Sequence, residues 1–204
     1  MATLRTYADK GNFKEAEQLE VHVLDMRKKL LGAEHPATLR SMENLAVTYT
    51  SLGKWNEAEQ LLVNVLDMRK KLLGVEHPET LRSMANLAGT YAGKRNWNEA
   101  EKLEDQVLDM RKKLLGAEHP DTLLSMENLA RTYADMGKLK EAEQLEVHVL
   151  DMRKKLLGAE HPDTLISMEN LARTYTSLGK WNGAEQLRVQ VMDTEGHQEI
   201  SRNS

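Results

Sequence analysis

Four residue types that often take part in chemistry stand together in the segment Leu156–Thr164, which reads LLGAEHPDT. Glu160 and His161 could act as metal ligands, and a histidine near the hydroxyl of Thr164 could act as a base beside a nucleophile. The same pattern recurs, and its four histidines are His35, His77, His119 and His161. Because the segment is one copy of a repeat, any site assigned to it would have to occur in all four copies.

The copies follow one another at a period of 42 residues along most of the chain. The glycine of each copy stands 42 residues after the last, at Gly32, Gly74, Gly116 and Gly158. Tyrosines and alanines elsewhere in the repeat keep the same register. A fixed period between 20 and 50 residues is typical of a stacked array of helical repeats.

One repeat predicts two helices, as residues 36–74 illustrate. Pro36 suits the first position of a helix, where its missing N–H costs nothing. Gly53 predicts a turn, the second helix follows from Trp55, and Gly74 is the expected C-terminal cap. Apolar residues recur at helical spacing through the first helix, at Leu39, Met42, Leu45, Ala46, Tyr49 and Leu52. Ten helices are expected in all, the first one short and confined to residues 1–8, so the chain reads as a fragment of a longer array.

A catalytic or metal site at the EHP segment is not favoured. Copies one repeat apart should lie roughly 10 Å apart, the spacing of packed helix layers, whereas the ligands of one zinc ion lie ~2 Å from it. Each copy is instead interpreted as a joint: glycine caps one helix, Glu and His turn the chain, and proline begins the next. We therefore predict no enzyme, no catalytic residue, no bound metal and no cofactor.

Composition argues for a soluble, cytoplasmic protein. The 204 residues include no cysteine, 29% are charged and the net charge is −4. Neither a signal peptide nor an apolar run of ~20 residues is present, so no membrane contact is expected. Each copy carries a basic triplet such as Arg69-Lys70-Lys71, but Asp67 stands four residues before Lys71 and predicts charge pairing along the helix. Nucleic acid is therefore not an expected partner.

The segment Asn44–Glu59 reads NLAVTYTSLGKWNEAE and resembles the helix–turn–helix pattern of tetratricopeptide repeats, with Leu45, Ala46, Tyr49, Gly53 and Ala58 at the family's offsets. The 42-residue period is similar to that of kinesin light chains and of arrays in NLR-like receptors. The resemblance implies an all-α, right-handed α-solenoid of antiparallel helix pairs, a TPR-like superhelix. It predicts a single array of five pairs over residues 1–191, the first truncated. Residues 192–204 would be a polar tail in which Gly196 ends the last helix, followed by disorder.

The resemblance further implies that the first helix of each pair lines a concave groove that binds a protein or peptide segment. In this family the Asn of the NLA element often holds the backbone of a bound peptide, which by match points to Asn44, Asn86, Asn128 and Asn170. We call the inner line of these helices the stripe. Its predicted binding residues are Arg40, Glu43, Asn44, Val47, Arg82, Asn86, Gly89, Glu127, Asn128, Arg131, Glu169, Asn170 and Arg173. A stripe that is merely solvated is the alternative interpretation.

The copies differ in one turn. Residues 91–100 read YAGKRNWNEA, with the turn glycine moved two residues earlier to Gly93. We expect the preceding helix to end early and the turn to be wider. Gly89 and Gly93 would then leave a low spot in the stripe that accepts a partner's side chain.

The sequence thus predicts a non-enzymatic scaffold for protein–protein interaction. The alternative is a structural spacer or self-association module, because no polar capping helix is expected at either end of the array. Exposed apolar end faces favour stacking and homo-oligomers. A hydrolase or metal enzyme is the third and least favoured class.

Overall fold

The computed structural model describes the backbone of residues 13–202 and the side chains of residues 14–194. The short helix predicted over residues 1–8 lies outside the described residues. Within them the structure has nine helices and no strand: α1 Phe13–Leu31, α2 Pro36–Ser51, α3 Trp55–Leu73, α4 Pro78–Gly93, α5 Trp97–Leu115, α6 Pro120–Asp135, α7 Leu139–Leu157, α8 Pro162–Ser177 and α9 Trp181–Arg202. The predicted alternation of proline-started helices with longer helices is confirmed.

The EHP joint has the predicted structure. The preceding glycine is in a positive-φ conformation, as at Gly74 with φ 87°. His77 then takes the N-cap position of α4, and its Nδ1 accepts a hydrogen bond from the backbone N–H of Glu79 at 3.2 Å. This bond satisfies one of the helix N–H groups that lack a partner in the first turn. His35, His119 and His161 cap α2, α6 and α8 in the same way.

Helices pack against their neighbours along the chain within two compact units, Met1–Val107 and Leu108–Ser204. Each core cluster takes two leucines and a methionine from a proline-started helix, one leucine from the helix before it and one valine from the helix after it. In the first unit the cluster is Leu24, Leu39, Met42, Leu45 and Val65. In the second unit the clusters are Leu108, Leu123, Met126, Leu129 and Val149, and Leu150, Leu165, Met168, Leu171 and Val191. Burying each such side chain contributes about 1.5–3 kcal/mol, so the apolar face predicted from spacing stabilises each helix pair.

The expected end of the last helix is wrong. Gly196 does not terminate it, because α9 continues to Arg202. A single glycine inside a helix costs only about 1 kcal/mol relative to alanine, which does not outweigh the hydrogen bonds on either side of it. The proposed division at residue 191 stays a prediction.

The turn after α4 is neither early nor wider, so that expectation is also wrong. α4 ends at Gly93 and has 16 residues, like α2, α6 and α8. The turn closes in the usual way, with the N–H of Asn96 donating to the carbonyl of Tyr91 at 2.9 Å. Arg95 takes the place of the turn glycine and adopts a positive φ of 60°. The turn therefore keeps its position in the repeat, and the positive φ stays at the same register although the glycine has moved.

None of the helices within the described residues is both long enough and apolar enough to cross a membrane.

Candidate functional site

The stripe borders a pocket in each of the two units. In the first unit a pocket of about 460 Å³ opens between α2 and α4, with α3 at its base. Val47, Asn86 and Gly89 of the stripe line it, together with Trp55 and Leu62 from α3. A Cβ at Gly89 would meet no described atom within 4 Å, so this glycine leaves open space. We call this the first-unit pocket.

The predicted low spot therefore forms at only one of its two glycines. A Cβ at Gly93 would collide with the ring of Trp55, so Gly93 is in close contact with a side chain rather than open to a ligand. Its missing side chain lets the Trp55 ring lie beside the C-terminal end of α4.

The second-unit pocket has a volume of about 370 Å³ and opens between α6 and α8, with α7 at its base. It brings together more of the predicted residues than the first-unit pocket does. Its lining residues from the stripe are Leu124, Glu127, Asn128, Arg131, Ile166, Asn170 and Arg173. Ser167 completes the α8 wall, and Glu146 and Val149 of α7 form its base.

Asparagine and arginine side chains are paired at the mouth of the second-unit pocket. The Arg173 Nη2 donates to the Asn170 Oδ1 at 2.6 Å, and the Arg131 Nη2 donates to the Asn128 Oδ1 at 3.3 Å. Accepting these bonds orients each amide, and both partners of a pair carry further N–H donors. The mouth can therefore bind carbonyl oxygens and carboxylates of a ligand.

The base of the second-unit pocket carries an acceptor instead. Glu146 is only 7% exposed, and its Oε2 has no hydrogen-bond partner within the described residues. Burial raises the pKa of the Glu146 carboxyl, and a hydrogen bond with Thr174 and the charge of Arg173 oppose that rise. An N–H or O–H donor brought into the pocket would complete this carboxyl group.

Glu43, by contrast, is withdrawn from the surface, so the prediction that it contacts a ligand is not supported. It is 4% exposed, and Arg69 of α3 donates to both of its oxygens, at 2.6 and 2.8 Å. Ser83 and Arg82 of α4 donate to the same carboxylate, each at 3.1 Å. The carboxylate therefore joins three helices, and little of it remains accessible for a partner.

Glu127 repeats this arrangement at the edge of the second-unit pocket. Arg153 of α7 donates to both of its oxygens at 2.7 Å, and Ser167 of α8 donates to Oε1 at 3.1 Å. Glu169, one repeat later, is exposed and lines a separate groove with Arg188 and Met192. The same register thus holds a buried ion pair at Glu43, a partly buried one at Glu127 and an exposed carboxylate at Glu169.

The remaining predicted residues lie outside both pockets. Arg40 and Asn44 are exposed on α2, and Arg82 is exposed on α4, where it also contacts Glu79 at 2.7 Å. Eight predicted residues are gathered at the pockets by the packing of their helices: Val47, Asn86, Gly89, Glu127, Asn128, Arg131, Asn170 and Arg173.

The EHP histidines face their own helices. Each Nδ1 is occupied by a backbone N–H at 3.1–3.2 Å, which is the function of a cap. Among the described residues, no group of three or more His, Cys, Asp or Glu side chains is arranged to hold a metal ion.

Sequence reasoning missed the residues contributed by the second helices. The residue at the pocket base, Leu62 in the first unit and Glu146 in the second, belongs to one register of the second helices, which reads Glu20, Leu62, Glu104 and Glu146. A glutamate that replaces leucine inside an otherwise apolar helical face is the signal that could have revealed it. The contacts of the arginines in the basic triplets were not predicted either: Arg69 and Arg153 are at most 9% exposed, and each donates to the preceding proline-started helix and to the next one.

Comparison with known proteins gives the family. Two tetratricopeptide-repeat models match the chain, one over residues 5–70 and 44–113 and the other over residues 122–163 and 164–194. Two crystal structures of the nearly identical TPR-like repeats of a candidate kinesin light chain of Podosopora anserina are each 36% identical to the chain. For one of them, a single-substitution variant, the match covers 97% of this chain and 93% of that one, with a TM-score of 0.84. No curated protein matches the sequence.

More distant structures share the fold alone. BtubC (BKLC) from P. vanneervenii is 20% identical, with a TM-score of 0.80 over 96% of this chain and 78% of its own. A Rap protein complexed with competence and sporulation factor is 14% identical, with a TM-score of 0.76 over 96% of this chain and 53% of its own. The predicted right-handed α-solenoid of antiparallel helix pairs is confirmed, and the chain belongs to the tetratricopeptide-repeat family, with repeats like those of kinesin light chains.

Proposed function

We propose that this protein is a non-enzymatic scaffold that binds an extended peptide segment at the stripe, with a side chain of the peptide entering a pocket that the stripe borders. Tetratricopeptide repeats are in general scaffolds for protein–protein interaction, and the fold is typically non-catalytic. The kind of partner and the place where it binds are our proposal.

The Asn–Arg pairs at the second-unit pocket carry this proposal. An extended peptide presents a carbonyl oxygen and an N–H at every residue, so amide side chains can bind it without reading its sequence. Asn128 and Asn170 stand on opposite sides of one pocket, and each is oriented by an arginine. Because these side chains are already held in place, they lose less conformational entropy when a peptide binds.

A random peptide library displayed on phage tests this function. Peptides selected on the parent protein should bind the Asn128→Ala/Asn170→Ala variant about tenfold more weakly, since each lost hydrogen bond contributes about 0.5–1.5 kcal/mol. Affinity is measured by fluorescence anisotropy with the labelled peptides. Gln144→Ala, an exposed position on α7 outside both pockets, serves as the matched control and should change nothing. Equal affinity for the parent and the double variant would disprove binding at the stripe.

Self-association is the second candidate function, and the exposed apolar side chains of α9 favour it. Trp181 is 64% exposed, Met192 63% and Val189 48%. Light scattering after size exclusion over a wide range of concentrations should show a mass that rises with concentration, and Met192→Lys should reduce that rise. A constant monomeric mass would exclude this function.

A further inference from the structure

The inference starts from the unpaired acceptor at the base of the second-unit pocket, and it rests on the proposed function. Glu146 is more than nine-tenths buried, lines the pocket and has no described partner for its Oε2. Buried polar atoms are nearly always hydrogen-bonded. The Oε2 of Glu20, at the same register, is also unpaired among the described residues, but Glu146 belongs to the lining of a pocket, and an unpaired buried group in such a lining is typical of a site that a ligand completes. The missing group is a donor.

A cationic donor fits better than a neutral one. Burial disfavours the ionised form of the Glu146 carboxyl, and a positive charge at hydrogen-bond distance would favour it again. The groups that face this carboxyl are Thr174 and Arg173 from α8, Glu127 from α6 and Glu143 on its own helix. Of the two positive side chains that line the pocket, Arg173 donates to Asn170 and Arg131 donates to Asn128.

The apolar residues that line the second-unit pocket favour a ligand whose cationic group stands at the end of an apolar chain. Leu124 is 46% exposed on α6, Ile166 is 50% exposed on α8, and Val149 lies between them at the base. A lysine side chain has four methylene groups below its ammonium, and it commonly places this stem along apolar surface. The volume of about 370 Å³ is ample for it.

The mouth specifies the neighbours of that lysine. Arg131 and Arg173 both line the opening, so a ligand whose only charge is positive would be repelled there. Acidic residues on either side of the lysine would pair with these arginines.

We propose that the second-unit pocket binds a lysine side chain of an extended peptide, with the ammonium at Glu146 and an acidic neighbour of the lysine at Arg131 or Arg173. The partner is therefore a segment in which lysine stands next to aspartate or glutamate.

The chain contains its own control for this proposal. Leu62 occupies the register of Glu146 at the base of the first-unit pocket. There the equivalent threonine, Thr90, donates to the carbonyl of Asn86 at 3.1 Å. The first-unit pocket should therefore prefer an apolar side chain, and Glu146→Leu gives the second-unit pocket a residue that this fold already accepts at that position.

The test selects a phage-displayed random peptide library on the parent, Glu146→Leu and Glu146→Gln. We expect peptides from the parent to be enriched in lysine beside an acidic residue, and both variants to lose that enrichment. For one selected peptide, replacing its lysine by norleucine should weaken binding to the parent tenfold or more and leave binding to Glu146→Leu unchanged. Circular dichroism confirms that both variants are folded.

Each contrary result has a distinct meaning. Peptides that bind the parent without enriched lysine, for example with an aromatic residue in its place, overturn the lysine assignment while peptide binding stands. The same holds for lysine enrichment that survives in both variants. A parent that selects no peptide at all overturns the proposed function together with this inference.

Discussion

Arg95 adopts a positive-φ backbone conformation that its residue type disfavours. Three other turns between paired helices have glycine at this register, Gly53, Gly137 and Gly179, with φ between 72° and 78°. Arg95 adopts φ 60° in the same place. A residue with a Cβ pays about 1–2 kcal/mol in the left-handed region, so the turn is held against a local preference.

We therefore expect Arg95→Gly to raise the free energy of unfolding by about 0.5–1 kcal/mol, the strain relieved less the extra flexibility of glycine in the unfolded chain. The converse change, Gly53→Arg, should lower it by a similar amount. Urea unfolding followed by circular dichroism measures both. An unchanged or lower stability of Arg95→Gly would contradict the assigned strain.

At the scale of helices, a buried arginine links each of the long helices α3, α5 and α7 to a neighbouring helix. Arg69 of α3 donates to the Glu43 carboxylate of α2, and to the Glu79 carbonyl and the Ser83 hydroxyl of α4. Arg69 is 3% exposed and Glu43 is 4% exposed. Removing one partner of a buried ion pair leaves the other charge uncompensated, which is more costly than removing both.

Arg69→Met should consequently lower the free energy of unfolding by about 3 kcal/mol. Adding Glu43→Ala should recover at least half of that loss, and the chain already has alanine at this register in another copy, Ala85. Lys70→Met on the exposed face of α3 is the control, expected within about 0.5 kcal/mol of the parent. A double variant as unstable as Arg69→Met would show that the pair is not coupled.

The sequence predicted the helices and their joints much better than it predicted what the polar side chains contact. The proline, glycine and histidine of each joint act through neighbouring backbone atoms, so local rules place them correctly. The predicted pairing along the helix concerned Asp67 and Lys71, and no contact was predicted for Arg69. Whether it points outward depends on the angle at which α2 and α4 pack on α3, and a repeat period does not contain that angle. Glu146 at the pocket base was missed for the same reason.

At the scale of the whole molecule, buried glutamates make stability depend on pH. Burial raises the pKa of Glu20 in the first unit and of Glu146 in the second, and a threonine hydrogen bond opposes each rise. A raised carboxyl pKa in the folded state means that folding favours the protonated form. The stabilising contribution is therefore complete below the ordinary value of 4.5 and is lost as the pH rises through the raised pKa.

Replacing Glu20 and Glu146 by leucine, the residue of their register at position 62, should remove this loss. The double variant should be more stable than the parent at neutral pH, and the difference should shrink as the pH falls towards 4.5. Urea midpoints at a series of pH values measure it. A difference that stays constant with pH would mean that the two carboxyls do not titrate with folding.

The contact between Trp55 and Gly93 has a consequence for how such a chain can change. The copies are so similar that they look interchangeable, yet at the register of Gly93 the other copies carry Ser51, Asp135 and Ser177, all of which have a Cβ. Placing any of these copies after the one with Trp55 would force its ring out of the position it now holds. The neighbouring copy therefore decides where the Trp55 ring can lie, although Trp97, at the same register one repeat later, is followed by Asp135, so the chain also places a tryptophan before a residue with a Cβ.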